Sequence, residues 1–134
     1  MKSKVTVTFT EDYLQQQIVM WFNNNYCLKR FKRRYAIFAI PNGGKRDARE
    51  AKKLKNTGLL PGAADLEILG PDRFCCFIEV KLPGNYQQEN QKDFEDRVKE
   101  MGFSYDVVKS LDEFKAVCDR LIGPPEHLPT SGLK

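Results

Sequence analysis

The sequence has 134 residues, 41% of them hydrophobic and 30% charged, with a formal net charge of +4. That length suits one domain with a real core, and its apolar stretches are too short to cross a bilayer. Residues 1–60 hold 13 Lys/Arg against 4 Asp/Glu, whereas 61–134 hold 9 against 14. The basic first half points to a polyanionic partner, of which nucleic acid is the commonest; the plainer alternative is a solvated, lysine-rich surface. Cys27, Cys75, Cys76 and Cys118 have no CxxC spacing, and the adjacent pair sits in an apolar run. They read as buried thiols of an intracellular, cytoplasmic protein. The single histidine, His127 in a Pro-rich stretch, argues against a zinc site and against Ser-His-Asp hydrolysis.

In chain order, residues 3–9 alternate apolar and polar, as a strand or ordered arm would. Thr8-Phe9-Thr10-Glu11 has capping-box spacing and leads into a helix over 11–24, with Leu14, Ile18, Trp21 and Phe22 on one face. The run Lys29-Arg30-Phe31-Lys32-Arg33-Arg34 follows. It offers Arg33 and Arg34 to a phosphate backbone, or is a solvated connector. Residues 35–40 read as a buried strand, ended by the turn Pro41-Asn42-Gly43-Gly44. A strongly basic helix over 45–56 has only Ala48, Ala51 and Leu54 as a thin inner face, and Asn56-Thr57-Gly58 stops it.

Two strands, 64–69 and 74–81, are joined by the turn sequence Gly70-Pro71-Asp72-Arg73 as a β-hairpin. After a loop over 82–86, a helix over 88–101 turns Phe94 and Val98 inward. A strand over 103–109 and a helix from the capping box Ser110-Leu111-Asp112-Glu113 to about 122 complete the order. Residues 123–134 are expected as a loosely ordered tail after one domain over 1–122. The sum is an α/β fold with a mixed sheet flanked by helices.

The hairpin carries the chemistry. With the turn centred near Asp72, Asp65 faces Glu79 and Glu67 faces Phe77. Side chains alternate along a strand, so Asp65, Glu67, Glu79 and Lys81 share one face. Ala64, Leu66, Ile68, Cys76, Ile78 and Val80 share the other, which belongs on the core. Acids set opposite each other are destabilising unless something compensates. A divalent cation does so, and it is also what phosphodiester hydrolysis uses to activate water and neutralise charge. Asp65 and Glu79 are the candidate ligands, the Val80 carbonyl a third oxygen, and Lys81 the candidate stabiliser of developing charge. Glu-x-Lys alone is weak, since a surface strand with a cross-strand ion pair looks the same.

Further residues carry a resemblance. Pro41-Asn42-Gly43-Gly44, Gly58, Gly62-Ala63-Ala64-Asp65, Ile78-Glu79-Val80-Lys81, and Gln91 eleven residues before Gly102 together resemble the VRR-NUC (virus-type replication-repair nuclease) family of the PD-(D/E)xK superfamily, over about residues 11–120. The resemblance implies a restriction-endonuclease-like core and a Mg²⁺- (or Mn²⁺-) dependent DNA endonuclease, selective for Holliday-junction or other branched DNA and acting as a homodimer. It implies Asp65, Glu79, Lys81, Gln91 and Glu11 as catalytic residues, with Gln91 orienting Lys81 or the attacking water. It tips the Asn42-Gly43-Gly44 turn, with Lys45 and Arg46 after it, toward contact with a phosphate. A cytoplasmic setting is expected, with a phage gene in a bacterial host as one origin. Neither a membrane nor a small-molecule cofactor is expected. The sequence departs from the family at Ala64, where Pro is common, and at Asn85-Tyr86-Gln87-Gln88, where a Ser commonly precedes the Gln. The rival reading is a DNA-binding module that kept the fold and lost turnover.

Overall fold

Local capping and apolar spacing set the helices of this computed structural model, which describes residues 8–41 and 47–128. Helix α1 spans Glu11–Tyr26. Its N-cap is Thr10, whose hydroxyl accepts from the Tyr13 N–H at 3.0 Å; the cap falls two residues after the Thr8 that the capping-box spacing suggested. Leu14, Ile18 and Phe22 recur at helical spacing and are fully buried. Trp21 is half-buried, edge-on to Tyr26 and Phe114. The strand or arm expected over 3–9 lies mostly outside the described residues, and residues 8–10 form no strand.

Strand β1 (Ala36–Ala39) leads to helix α2 (Ala48–Asn56), capped by Asp47. Helix α2 buries none of its residues, so the thin Ala48/Ala51/Leu54 face does not anchor it in a core. Strands β2 (Leu66–Gly70) and β3 (Phe74–Val80) form the expected hairpin. The Pro71–Arg73 turn between them places Asp72 and Arg73 at positive φ. Helix α3 spans Glu89–Glu100, strand β4 Ser104–Val108 and helix α4 Leu111–Leu121. Ser110 caps α4 by accepting from the Glu113 N–H at 3.0 Å. Glu113 reaches back to the N–H of Lys109 rather than to the cap residue itself.

The sheet order is β1-β2-β3-β4, with β1–β2 and β2–β3 antiparallel and β3–β4 parallel. One face carries Leu66, Ile68, Cys76, Ile78, Val80 and Val108 against α1 and against Phe114 and Cys118 of α4. The other carries Tyr105 against Phe94 and Val98 of α3. Ala64 packs in this second cluster rather than with Leu66: Asp65 is a bend and regular strand begins only at Leu66, so alternation does not extend back to it.

The described part of the tail, 123–128, is held by specific contacts. Gly123 accepts from the Tyr26 hydroxyl at 2.8 Å, Glu126 accepts from the Lys32 and Arg33 N–H groups, and His127 stacks on Phe31. No helix among the described residues is long and apolar enough to cross a membrane.

Candidate active site

The β2–β3 register is the one the turn dictates: Leu66 pairs with Ile78 and Glu67 with Phe77. One step further, past the last paired residue, lie Asp65 and Glu79. A carboxylate of Asp65 accepts from the Val80 N–H at 2.7 Å, so a side chain takes over where the ladder hydrogen bonds stop. Tight packing against α3 sets the approach to Asp65. Gly62 has φ +88, and a Cβ there would sit 2.4 Å from the Asn90 carbonyl oxygen. Only glycine lets the connector lie against the start of α3, which brings Asp65 and Gln91 to the same place.

Glu79 is 1% exposed and Lys81 9%. Lys81 Nζ lies 3.6 Å from Glu79 Oε2, and the same oxygen accepts from Gln91 Nε2 at 2.8 Å. Gln91 is also the hinge of its own helix start, because its side-chain carbonyl accepts from the Gln88 N–H at 2.8 Å. Gln91 is thus hydrogen-bonded to Glu79, where the expectation was Lys81 or the attacking water. Glu79 Oε1 is buried and has no hydrogen-bond partner among the described residues. Buried polar atoms are normally satisfied, so an oxygen left this way, beside a second carboxylate, suits a cation.

The electrostatics agree with the geometry. Burial first, and then the neighbouring Asp65 charge, pushes the Glu79 carboxyl up to about 8, against the pull of Lys81. Burial also raises Asp65, opposed by the Val80 N–H and Lys81. Two carboxylates that resist ionising together ionise readily when a cation arrives. Among the described residues no group of three or more His, Cys, Asp or Glu side chains is placed to hold a metal ion. Asp65 and Glu79 could offer two carboxylates to a cation whose other ligands are backbone, water or phosphate oxygens, a common arrangement for Mg²⁺. Val80 stands at the same strand end.

Glu11 belongs to the same end of the molecule. Its Oε2 accepts from the Leu82 N–H at 3.3 Å and from Asn85 Nδ2 at 3.0 Å, tying the first turn of α1 to the loop after Lys81, and its charge acts on Asp65. The adjacent Asp12 is exposed. Asn85 is a site neighbour that the sequence reading missed; its place in the Pro-Gly-Asn loop directly after Lys81 was the available signal. Glu67, opposite Phe77 as expected, lies on the same face one pleat nearer the hairpin turn and accepts from Cys75 Sγ at 3.4 Å.

No family model matches the sequence, and no curated protein matches it. Among solved structures, a protein described as "VRR_NUC domain protein" is similar over 90% of this chain and 93% of that one, with a TM-score of 0.68 and 24% sequence identity. This chain has the VRR_NUC fold. The resemblance read from Gly62-x-x-Asp65 and Glu79-Val80-Lys81 thus holds at the level of architecture, as does the mixed sheet flanked by helices.

On the VRR_NUC fold the two basic regions separate. Helix α2 follows the end of β1 whose Ala39 pairs with Leu66, at the carboxylate end of the sheet. Arg33 and Arg34 precede the opposite end, and Arg33 Nη2 pairs with Asp72 Oδ2 of the hairpin turn at 3.1 Å. Arg34 Nε donates to the Cys27 carbonyl at 2.7 Å. Five residues of strand, about 17 Å, divide Asp65 from Gly70, so Arg33 and Arg34 do not border the carboxylates. Asn42, Gly43, Gly44, Lys45 and Arg46 lie outside the described residues.

Proposed function

We propose that this protein is a metal-dependent DNA endonuclease with Asp65, Glu79 and Lys81 at its active centre. The observation that carries the reading is the buried Glu79 beside the half-buried Asp65 and beside Lys81, with one Glu79 oxygen left without a hydrogen-bond partner among the described residues. Asp65 and Glu79 hold a divalent cation, Mg²⁺ or Mn²⁺, with the Val80 carbonyl as a further oxygen. When bound, such a cation lowers the pKa of a water and neutralises charge on a phosphate. Gln91 keeps Glu79 turned into the site through its amide. The Lys81 ammonium, held 3.6 Å from Glu79, stabilises the charge that develops on the scissile phosphate. Glu11 anchors the loop that follows Lys81. Similarity to the solved VRR_NUC domain protein over nearly the whole chain supports the same class of reaction.

The preferred substrate in this reading is branched DNA, cut by a homodimer. A four-way junction has near two-fold symmetry, and a two-fold dimer presents two sites in matching orientation. The basic residues of α2 grip phosphates near the cut, so binding weakens steeply with salt. The test incubates the protein with linear, nicked, forked and four-way DNA, with Mg²⁺, Mn²⁺ or EDTA, and measures its mass by light scattering. Cleavage only with metal, fastest on branched DNA, and a dimeric mass are expected. Binding without any cleavage would leave the inactive-module reading. A monomer that cuts every DNA equally would remove the junction-resolving one.

A further inference from the structure

Beside the carboxylates lies a cavity of about 370 Å³ that the proposed chemistry does not use. Leu54 and Lys55 of α2 and Leu59 of the connector form one side; Gln88, Asn90 and Gln91 at the start of α3 form the other. Its volume is within the roughly 300–1,000 Å³ of small-molecule sites. Gln91 belongs to both places, because it lines the cavity and its amide donates to Glu79 Oε2 at 2.8 Å.

The lining has the mixed character of one kind of ligand. Leu54 and Leu59 give apolar surface. Asn90 and Gln88 give amides that both donate and accept. Lys55 gives one cation. A nucleobase has apolar faces and hydrogen-bonding edges, and the nucleotide that carries it has one anionic phosphate. We propose that this cavity binds a single unpaired nucleotide next to the scissile phosphate, with its base between the leucines and the amides and its phosphate toward Lys55. The proposal rests on the nuclease reading and deepens it. A base inside a duplex stack cannot enter a pocket without unstacking and unpairing. A base at a branch point, gap or flap is already free or easily freed. The pocket thereby supplies a physical reason for preferring interrupted DNA over continuous duplex. Amide groups adapt to donors or acceptors, so weak base preference is expected.

Gly62 fixes the pocket's distance from the site. It lies against Asn90 three residues before Asp65, so Gly62 and Ala63 of the cavity lining and the candidate metal ligand belong to one connector.

The experiment uses forked and four-way DNA with 2-aminopurine placed in turn at each position within three nucleotides of the mapped cut. Binding is read in EDTA, where the proposed reaction stops. A fluorescence rise of about threefold or more is expected at one position and should vanish in Leu54→Trp, which fills the cavity. An abasic nucleotide at that position should raise KM about tenfold for the wild-type protein, with kcat changed less than twofold. In Asn90→Ala the penalty for the abasic nucleotide should shrink below twofold. No fluorescence rise at any position, a rise that persists in Leu54→Trp, or an abasic substrate cut with unchanged KM overturns the pocket while leaving the nuclease reading intact. Failure of the wild-type protein to cut any DNA with metal present overturns both.

Discussion

The two ends of the β2–β3 hairpin use charge in opposite ways. At the turn, Arg33 meets Asp72 in an open ion pair whose side chains are 57% and 82% exposed, and the Lys32 and Arg33 N–H groups are closed off by Glu126. Every one of these charges has a neighbour of opposite sign or a hydrogen-bond partner, and water screens the rest. At the other end the half-buried Asp65 and the buried Glu79 lie together, both held above their ordinary titration range, and one Glu79 oxygen lacks a hydrogen-bond partner among the described residues. Sheets do not need such an end for stability. Groups arranged against their own solvation mark the place where a fold is built for a ligand.

The contrast is sharpest for Glu79. Glu79→Gln or Asp65→Asn should lower DNA cleavage by about three orders of magnitude or more, since a metal ligand and its charge are lost, while DNA binding survives. The same Glu79→Gln change should make the metal-free protein more stable at pH 8. The folded-state pKa of about 8 lies above the 4.5 of an ordinary glutamate, so the folded state holds this proton more tightly. Stability from this group is full below about 4.5 and is lost as pH rises through about 8; a neutral amide removes that slope. Denaturant melts from pH 5 to 9 check it. A variant that is less stable than wild type at every pH would show Glu79 to be a structural partner of Gln91 and nothing more.

Lys81→Ala should reduce turnover by roughly 10²–10³ under saturating DNA, as loss of a contact to developing charge does. Near wild-type rates would reduce Lys81 to an ion-pair partner. Gln91→Ala should cost about 10–100-fold in activity or metal affinity, the usual range for a residue that orients a ligand; activity recovered at high metal concentration would separate that role from a direct one. The hairpin end should respond least. Arg33→Ala should change stability very little, as is usual for an exposed ion pair screened by water, and leave kcat unchanged. A large loss of turnover there would break the division between the two ends.

Much of this arrangement could be read before the structure. Turn chemistry at Gly70–Arg73 gave the register, and the register gave Asp65 opposite Glu79, because side-chain period and strand pairing are local rules. Capping residues gave α4 and its start, while α1 took its cap from Thr10 rather than Thr8. What could not be read depended on long-range placement. The basic run at 29–34 looks as suited to DNA as α2 does, yet Tyr35 packs against Gly70 beside the hairpin turn, just ahead of β1, which keeps the run away from the carboxylates. Periodicity placed Gln91 facing the sheet, but which site group it holds depends on how far α3 advances along β3. Gly62 set against Asn90 fixes that distance, and no spacing rule encodes such a contact. Glu67 has the right parity for the site but sits one pleat too far along the strand.

The most direct measurement is calorimetric titration of Mn²⁺ into the metal-free protein near pH 7, in two buffers of different ionisation enthalpy. One ion per chain should bind, releasing about one proton as the Asp65/Glu79 pair ionises fully, and binding should disappear in Glu79→Gln. Binding of equal strength in that variant, or no binding to the wild-type protein with or without DNA, would contradict a metal centre at Asp65 and Glu79.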